Sequence, residues 1–367
     1  MNTYALLVQP EISVISNHYK HRLLSKVPAF IGGKLEGITT SADAMVPGWL
    51  ICLPQMVCRN QTDDISRPAY YHRAKQIADL TRNLKVNILG LGESDYVRWG
   101  ELLRINLLPT ITLGDAYRAG MVRRLLSQSL ISKRIPQSQV RVAVTGVGGS
   151  LGNICTRVLA TMVRKLTVIG ISEKAFDFFA RQILYETGTS VLLGRDVARE
   201  FGETDVLVVT DEGQGGWGER EWMNLRSGAQ VIQVSSQIVS NSWDIPKNVC
   251  INRLMVSIPR QVCLKSSMMF RAYKSLLREN WPDWLGQLNK GDSRDSNRQL
   301  IPASLAEVIL LSLETSISPS GKGEDISLKY VDQLDTIGVK LGFIPQLIEQ
   351  KRSIMGNSYS KNIALTP

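Results

Sequence analysis

The stretch that most restricts the fold is Arg141–Val163, RVAVTGVGGSLGNICTRVLATMV. A β-branched apolar run leads through four glycines into residues at helical spacing, and a further apolar run, KLTVIGIS, comes next. Strand, glycine turn, helix and strand in that order predict a βαβ unit. Gly146, Gly149 and Gly152 are spaced G-x-x-G-x-x-G, with Gly148 as an extra. A glycine ending the strand allows a sharp turn, a middle one lets a phosphate approach the backbone, and the last lets helix and strand pack closely. The anion would sit where free N–H groups and the helix dipole favour it. The alternative is a glycine-rich turn that binds nothing. The flanking elements favour a dinucleotide site, with contacts from Gly146, Gly148, Gly149, Ser150, Leu151 and Gly152.

The rest of the chain extends this pattern. WLICLP and VNILGLG are short apolar runs bounded by Gly or Pro, with RPAYYHRAKQIADLTRNL at helical spacing between them. They predict a strand–helix–strand unit in a parallel sheet. GDAYRAGMVRRLLSQSLI is a helix with Asp115 placed to cap it. Beyond KLTVIGIS the helices EKAFDFFARQIL and DVAREFG alternate with the strands SVLLG, TDVLVVTDE and AQVIQVSS. After about Asn252 the pattern turns to helices with polar interruptions. The expected fold class is α/β: an N-terminal α/β domain over 1–125, a Rossmann doubly wound parallel sheet over 126–255 and a helical C-terminal region over 256–367 that packs back on the cleft.

At the end of the second strand of that sheet, VIGISEKAF, an acidic residue would select NAD and a basic one the 2′-phosphate of NADP. Ser172 and Lys174 favour NADPH, while Glu173 between them favours NADH. Thr210 and Asp211, in VVTDEGQGG at the carboxyl end of another strand, face the cofactor or form a plain polar turn. QVSSQ, Gln233 to Gln237, ends the next strand at the same crevice.

Composition narrows the class. The 367 residues are 44% hydrophobic and 21% charged, as in a globular protein, and no run is long and apolar enough to span a membrane. With no signal-peptide pattern, a cytoplasmic location is expected. The five cysteines are scattered without a CxxC, and the three histidines, His18, His21 and His72, lie near the N-terminus, so no metal is expected. The net charge of +10 concentrates in Arg118–Arg141 and Arg253–Arg298. It reads as solvated surface or as attraction to an acidic or phosphorylated partner. No dense basic run points to nucleic acid.

Four segments resemble the acyl-(acyl carrier protein) reductases and their shikimate-dehydrogenase-like relatives: GWLICLPQM with KVNILGLGESDYV, ITLGDAYRAG, VAVTGVGGSLG, and ASLAEVILLSLE followed by VDQLDTIGVKLGFIP. The resemblance implies an NAD(P)H-dependent oxidoreductase of biosynthesis. Its substrate would be a small molecule or an acyl group on a phosphopantetheine arm, with an acidic acyl carrier protein as partner. The family's cysteine nucleophile corresponds to Ser304, beside the retained Ala303, Ala306 and Glu307. A serine lacks the thiolate character that makes such a cysteine reactive. Ser304 therefore reads as the first residue of an S-x-x-E capping box with Glu307, as a hydrogen-bond donor to substrate, or as a nucleophile. Asp115 and Tyr117 stand where the family has other residues; Asp115 is a helix cap, or the two move a proton. The implied reaction is direct hydride transfer to a carbonyl or imine, with catalytic roles for Ser304, Asp115 and Tyr117. The alternatives are a conventional thioester reductase giving an aldehyde and a nucleotide-binding scaffold without activity.

Overall fold

The structure is a computed structural model that describes residues 2–8, 27–38, 45–53, 67–91, 110–210, 219–234, 249–258, 262–277, 285, 299–314, 317 and 325–349. In chain order the first elements are β1 (Tyr4–Val8), β2 (Phe30–Glu36), β3 (Gly48–Cys52), α1 (Arg67–Asn83), β4 (Ile88–Gly90) and β5 (Thr110–Thr112). Next are α2 (Asp115–Lys133), β6 (Arg141–Val144), α3 (Ser150–Ala160), β7 (Lys165–Val168), α4 (Glu173–Thr187) and β8 (Val191–Leu193). They are followed by α5 (Val197–Glu203), β9 (Val206–Val209), α6 (Glu219–Met223), β10 (Gln230–Gln233) and β11 (Cys250–Ile258). The last are β12 (Cys263–Ser266), α7 (Met268–Leu277), β13 (Gln299–Ile301), α8 (Ala303–Leu313), α9 (Leu328–Lys340) and β14 (Ile344–Glu349).

These elements divide into two compact units. Unit 1 takes residues 1–114, 257–319 and 341–343, and unit 2 takes 115–256, 320–340 and 344–367. The division falls between Gly114 and Asp115, ahead of the 125/126 boundary read from the sequence, because α2 packs with α3 and α9. The C-terminal region does not form a unit of its own: α8 belongs to unit 1 and α9 to unit 2.

Unit 1 holds a sheet in the order β12-β2-β3-β1-β4-β5. β3, β1, β4 and β5 run parallel, β2 runs antiparallel to β3, and β12 pairs antiparallel with β2. Strand, helix and strand occur here as the sequence predicted, but β1 lies between β3 and β4. The core gathers Leu7, Ile51, Leu53, Ala74, Ile77 and Leu89, so α1 covers the sheet with the apolar stripe that marked it as a helix.

Unit 2 is the α/β doubly wound parallel sheet, ordered β11-β10-β9-β6-β7-β8, with β14 also paired to β11. The chain runs outward from β6 through β7 to β8, then returns through β9 and β10 to β11. The reversal lies between β6 and β9, and in such sheets ligands bind at the carboxyl ends of the strands at that point. One face of the sheet is closed by a cluster of Ala143, Ile169, Phe201, Leu207, Val209, Trp222 and Val231. Within it the Phe201 and Trp222 rings meet edge to face at 5.7 Å. Helix α3 is buried from Leu151 to Ala160, as expected of a helix with neighbours on several sides.

The stretch after Asn252 is not purely helical. It contributes β12, β13 and β14 and most of β11, whose CINRLMVSI is buried at alternate positions and then continuously. Arg253 interrupts the apolar run there and obscured the strand in the sequence.

Candidate functional site

The β6–α3 turn shows what each glycine does. Gly146 has φ +69°, in the left-handed region, and so turns the chain out of the strand. A Cβ on Gly152 would lie 2.3 Å from the Gly146 carbonyl oxygen and 2.8 Å from Val147 Cα, so this helix can start against the turn only without a side chain. Gly148 and Gly149 are exposed. The turn's amides are used within the protein: Val147 N–H donates to Ile169 O at 3.2 Å, Gly148 N–H to Gly170 O at 3.3 Å and Gly149 N–H to Gly146 O at 2.9 Å. What the turn offers a ligand is therefore the first turn of α3. Gly149 is its N-cap and supplies no side-chain hydrogen bond. The opening N–H groups of a helix have no acceptor within it.

Beside this end lies a buried polar group that the sequence did not place together. Ser150 Oγ donates to Asp115 Oδ2 at 2.5 Å, and Arg118 Nη2 stands 3.4 Å from Asp115 Oδ1. Asp115 and Arg118 are both buried. Asp115 is the first residue of α2 rather than its cap, and its carboxylate joins the N-terminal turn of α2 to that of α3. Cys155 of α3 is buried nearby; burial pushes its thiol well above the usual range, Asp115 adds to that, and Arg118 opposes it. Asp115 and Ser150, expected in separate roles, are thus one hydrogen-bonded pair. Arg118 was missed because it sits in a basic tract, although its i,i+3 spacing from Asp115 was a signal.

The basic tract itself is mostly paired. Arg123 and Arg124 bind Asp332 and Asp335 of α9, and Arg141 binds Glu203.

The other expected site residues lie elsewhere. Ser172 is exposed and caps α4, accepting from Ala175 N–H at 3.4 Å; Lys174 is exposed on the first turn, and Glu173 pairs with Arg195 at 2.9 Å. Thr210 is buried, with Oγ1 donating to the Thr145 carbonyl at 2.5 Å, so it ties β9 to the end of β6. Asp211 lies outside the described residues. The Tyr117 ring is buried against Gly338 of α9, where a Cβ would come 2.5 Å from its hydroxyl. Ser304, in unit 1, is the second residue of α8 and is buried. The capping box does not form, because Pro302, which has no side-chain acceptor, is the N-cap of this helix. Glu307 instead accepts from Thr112 Oγ1, and Thr112 in turn accepts from Gly114 N–H at 3.0 Å. The Ser304 backbone closes on Gly114, whose added Cβ would lie 2.3 Å from Ser304 Cα.

Among the described residues no group of three or more His, Cys, Asp or Glu side chains is placed to hold a metal ion, and no helix is long and apolar enough to cross a membrane.

No protein-family model matches the chain, and no curated protein sequence matches it. Among solved structures it is similar to ornithine carbamoyltransferase from Pyrococcus furiosus, at 12% identity over 68% of this chain and 79% of that one, with a TM-score of 0.36. The anabolic ornithine carbamoyltransferase from Campylobacter jejuni matches at 11% identity over 67% and 78%, with a TM-score of 0.36. A dipicolinate synthase chain from Bacillus halodurans matches at 16% identity over 41% and 51%, with a TM-score of 0.29.

These neighbours correct the reading drawn from the sequence resemblance. They are carbamoyltransferases and a dipicolinate synthase, not acyl-carrier-protein reductases or shikimate-dehydrogenase-like proteins. The NAD(P)H-dependent oxidoreductase, its hydride transfer, the thioester-reductase and nucleotide-scaffold alternatives, and NADPH or NADH as cofactor are withdrawn with it. The likeness assigns no activity in exchange. The physical reason for the error is visible in the turn. Gly146 and Gly152 are demanded by chain geometry whatever binds there, and of the residues meant to read the ribose Ser172 caps α4 and Glu173 pairs with Arg195.

Proposed function

We propose that unit 2 binds the phosphate group of a small-molecule substrate at the N-terminus of α3, with Asp115 and Ser150 as the polar pair beside it. The observation that carries this reading is the Ser150–Asp115 hydrogen bond of 2.5 Å at a helix end whose N-cap, Gly149, has no side chain to fill it. An anion at this point is favoured by the amides of the first turn and by the helix dipole. Arg118 offsets the Asp115 charge, so that the carboxylate does not repel the ligand. Asp115 is placed to take a proton from the bound molecule, with Ser150 orienting it. A substrate on a phosphopantetheine arm belongs to this class, because the arm carries a phosphate.

The test is a titration with inorganic phosphate, followed by the backbone amide resonances of Gly149, Ser150, Leu151 and Gly152. Saturable shifts centred on these residues are expected. Gly149→Asp supplies the contrast: its Cβ meets the Gly146 oxygen at an ordinary 3.4 Å, and its carboxylate caps the helix where the phosphate would lie. The variant should be as stable as the parent or more so, and should show no phosphate shifts. Shifts absent from the parent, or undiminished in Gly149→Asp, refute the reading.

A further inference from the structure

Gln233 closes β10 at the carboxyl edge of the unit 2 sheet. It is completely buried, and among the described residues neither its Nε2 nor its Oε1 has a hydrogen-bond partner. A carboxamide in that state leaves a donor and an acceptor unsatisfied together, which destabilises the fold at no visible structural gain. Gln230, on the same short strand, shows the usual arrangement: Ser129 Oγ donates to its Oε1 at 2.7 Å. Strand alternation places Val231 and Gln233 on one face, and Val231 packs in the cluster with Phe201 and Trp222. An apolar residue at 233 would extend that cluster, yet the chain carries an amide.

The position explains why. Gln233 pairs in register with Val209 of β9 and Arg253 of β11, and β9 pairs directly with β6. Two strand spacings, roughly 10 Å in all, separate Gln233 from the end of β6 and its glycine turn. Both stand at the carboxyl edge, where a doubly wound sheet receives ligands.

We infer that Gln233 recognises an amide group of the ligand whose phosphate binds at α3, its Nε2–H donating to the amide carbonyl and its Oε1 accepting the amide N–H. This rests on the phosphate reading above. It narrows the ligand to phosphorylated molecules that carry an amide within about 10 Å of the phosphate along the sheet edge. A carboxylate would satisfy only the donor and a bare hydrocarbon neither group, whereas an amide answers both. The arm of 4′-phosphopantetheine, with a phosphate and two amides, is the probe that fits.

Calorimetry on the full chain with inorganic phosphate and with 4′-phosphopantetheine, for the parent, Gln233→Met and Gln233→Leu, tests this. The parent should bind phosphopantetheine at least tenfold more tightly than phosphate. Both variants should keep phosphate binding and lose that tenfold advantage, with a ligand-free Tm equal to or above the parent's. If the parent does not bind phosphate, the phosphate reading fails and this inference with it. If phosphate binds but phosphopantetheine gains nothing, or the variants bind it like the parent, the inference alone is refuted. A lower ligand-free Tm in both variants, or failure of both to fold, also refutes it by showing that the amide serves the fold.

Discussion

Gly152→Ala separates packing from helix propensity by sign. Alanine is favoured over glycine inside a helix by about 1 kcal/mol, so propensity alone predicts a more stable protein. At this position the added Cβ would sit 2.3 Å from the Gly146 oxygen, 2.6 Å from its carbonyl carbon and 2.8 Å from Val147 Cα. All three are backbone atoms of the turn, which cannot rotate away as a side chain would. Either α3 slides outward or the end of β6 deforms, and overpacking of this kind costs about 3 kcal/mol. The net loss is then about 2 kcal/mol, a fall in Tm of roughly 4–8 °C for a cooperative unit of this size. Gly202→Ala in α5 is the control, because its nearest contact, Asn224 O, is an ordinary 3.4 Å away. It should gain about 0.5–1 kcal/mol. Thermal unfolding by calorimetry, with a phosphate titration of both variants, reads the outcome. A Gly152→Ala protein as stable as the parent would refute the close approach of α3 to the turn, and with it the geometry on which the anion site depends.

Ser150→Ala removes a hydrogen bond to a buried carboxylate and should cost about 1.5–3 kcal/mol, measured by denaturant unfolding, while weakening phosphate binding. Asp115→Asn breaks a buried ion pair and should cost about 3 kcal/mol; an unchanged midpoint would show that Arg118 does not depend on it. In unit 1, Thr112→Val leaves Glu307 without this donor and should cost about 1–3 kcal/mol by the same assay. Burial raises the thiol pKa of Cys52 and Cys155 above the ordinary 9.0. Each keeps its proton in the fold, so its contribution is complete below that value and is lost as pH rises beyond it; Cys155→Ala should flatten the decline in stability above pH 9. Peptide mapping after brief alkylation should find Cys250 and Cys263 modified and Cys52 and Cys155 protected, as their exposure requires.

The α/β alternation was legible because it depends on local period: α1, α2, α3 and α4 carry apolar residues at helical spacing, and β6, β7 and β9 are short β-branched runs bounded by turns. The late strands were not, because β11 carries Arg253 within it and β12 leaves Cys263 and Lys265 exposed. The glycine spacing revealed a strand-to-helix turn but not its ligand, since the same residues are required by backbone geometry alone. Asp115 and Ser150 could each be singled out, yet their union depends on how α2 packs against α3, a long-range fact with no local signature. The capping box at Ser304 failed for a related reason. Pro302 takes the N-cap, and Glu307 finds Thr112, distant in sequence.

The chain passes between the two units five times, at 114/115, 256/257, 319/320, 340/341 and 343/344. Tyr117, near the start of α2, meets its packing partner Gly338 only near the end of α9. During synthesis, a ribosome that has finished β10 has therefore released a sheet whose first helix still shows an uncovered aromatic ring. That surface waits for more than a hundred further residues to emerge before it closes. A fragment cut at 256 lacks this contact altogether.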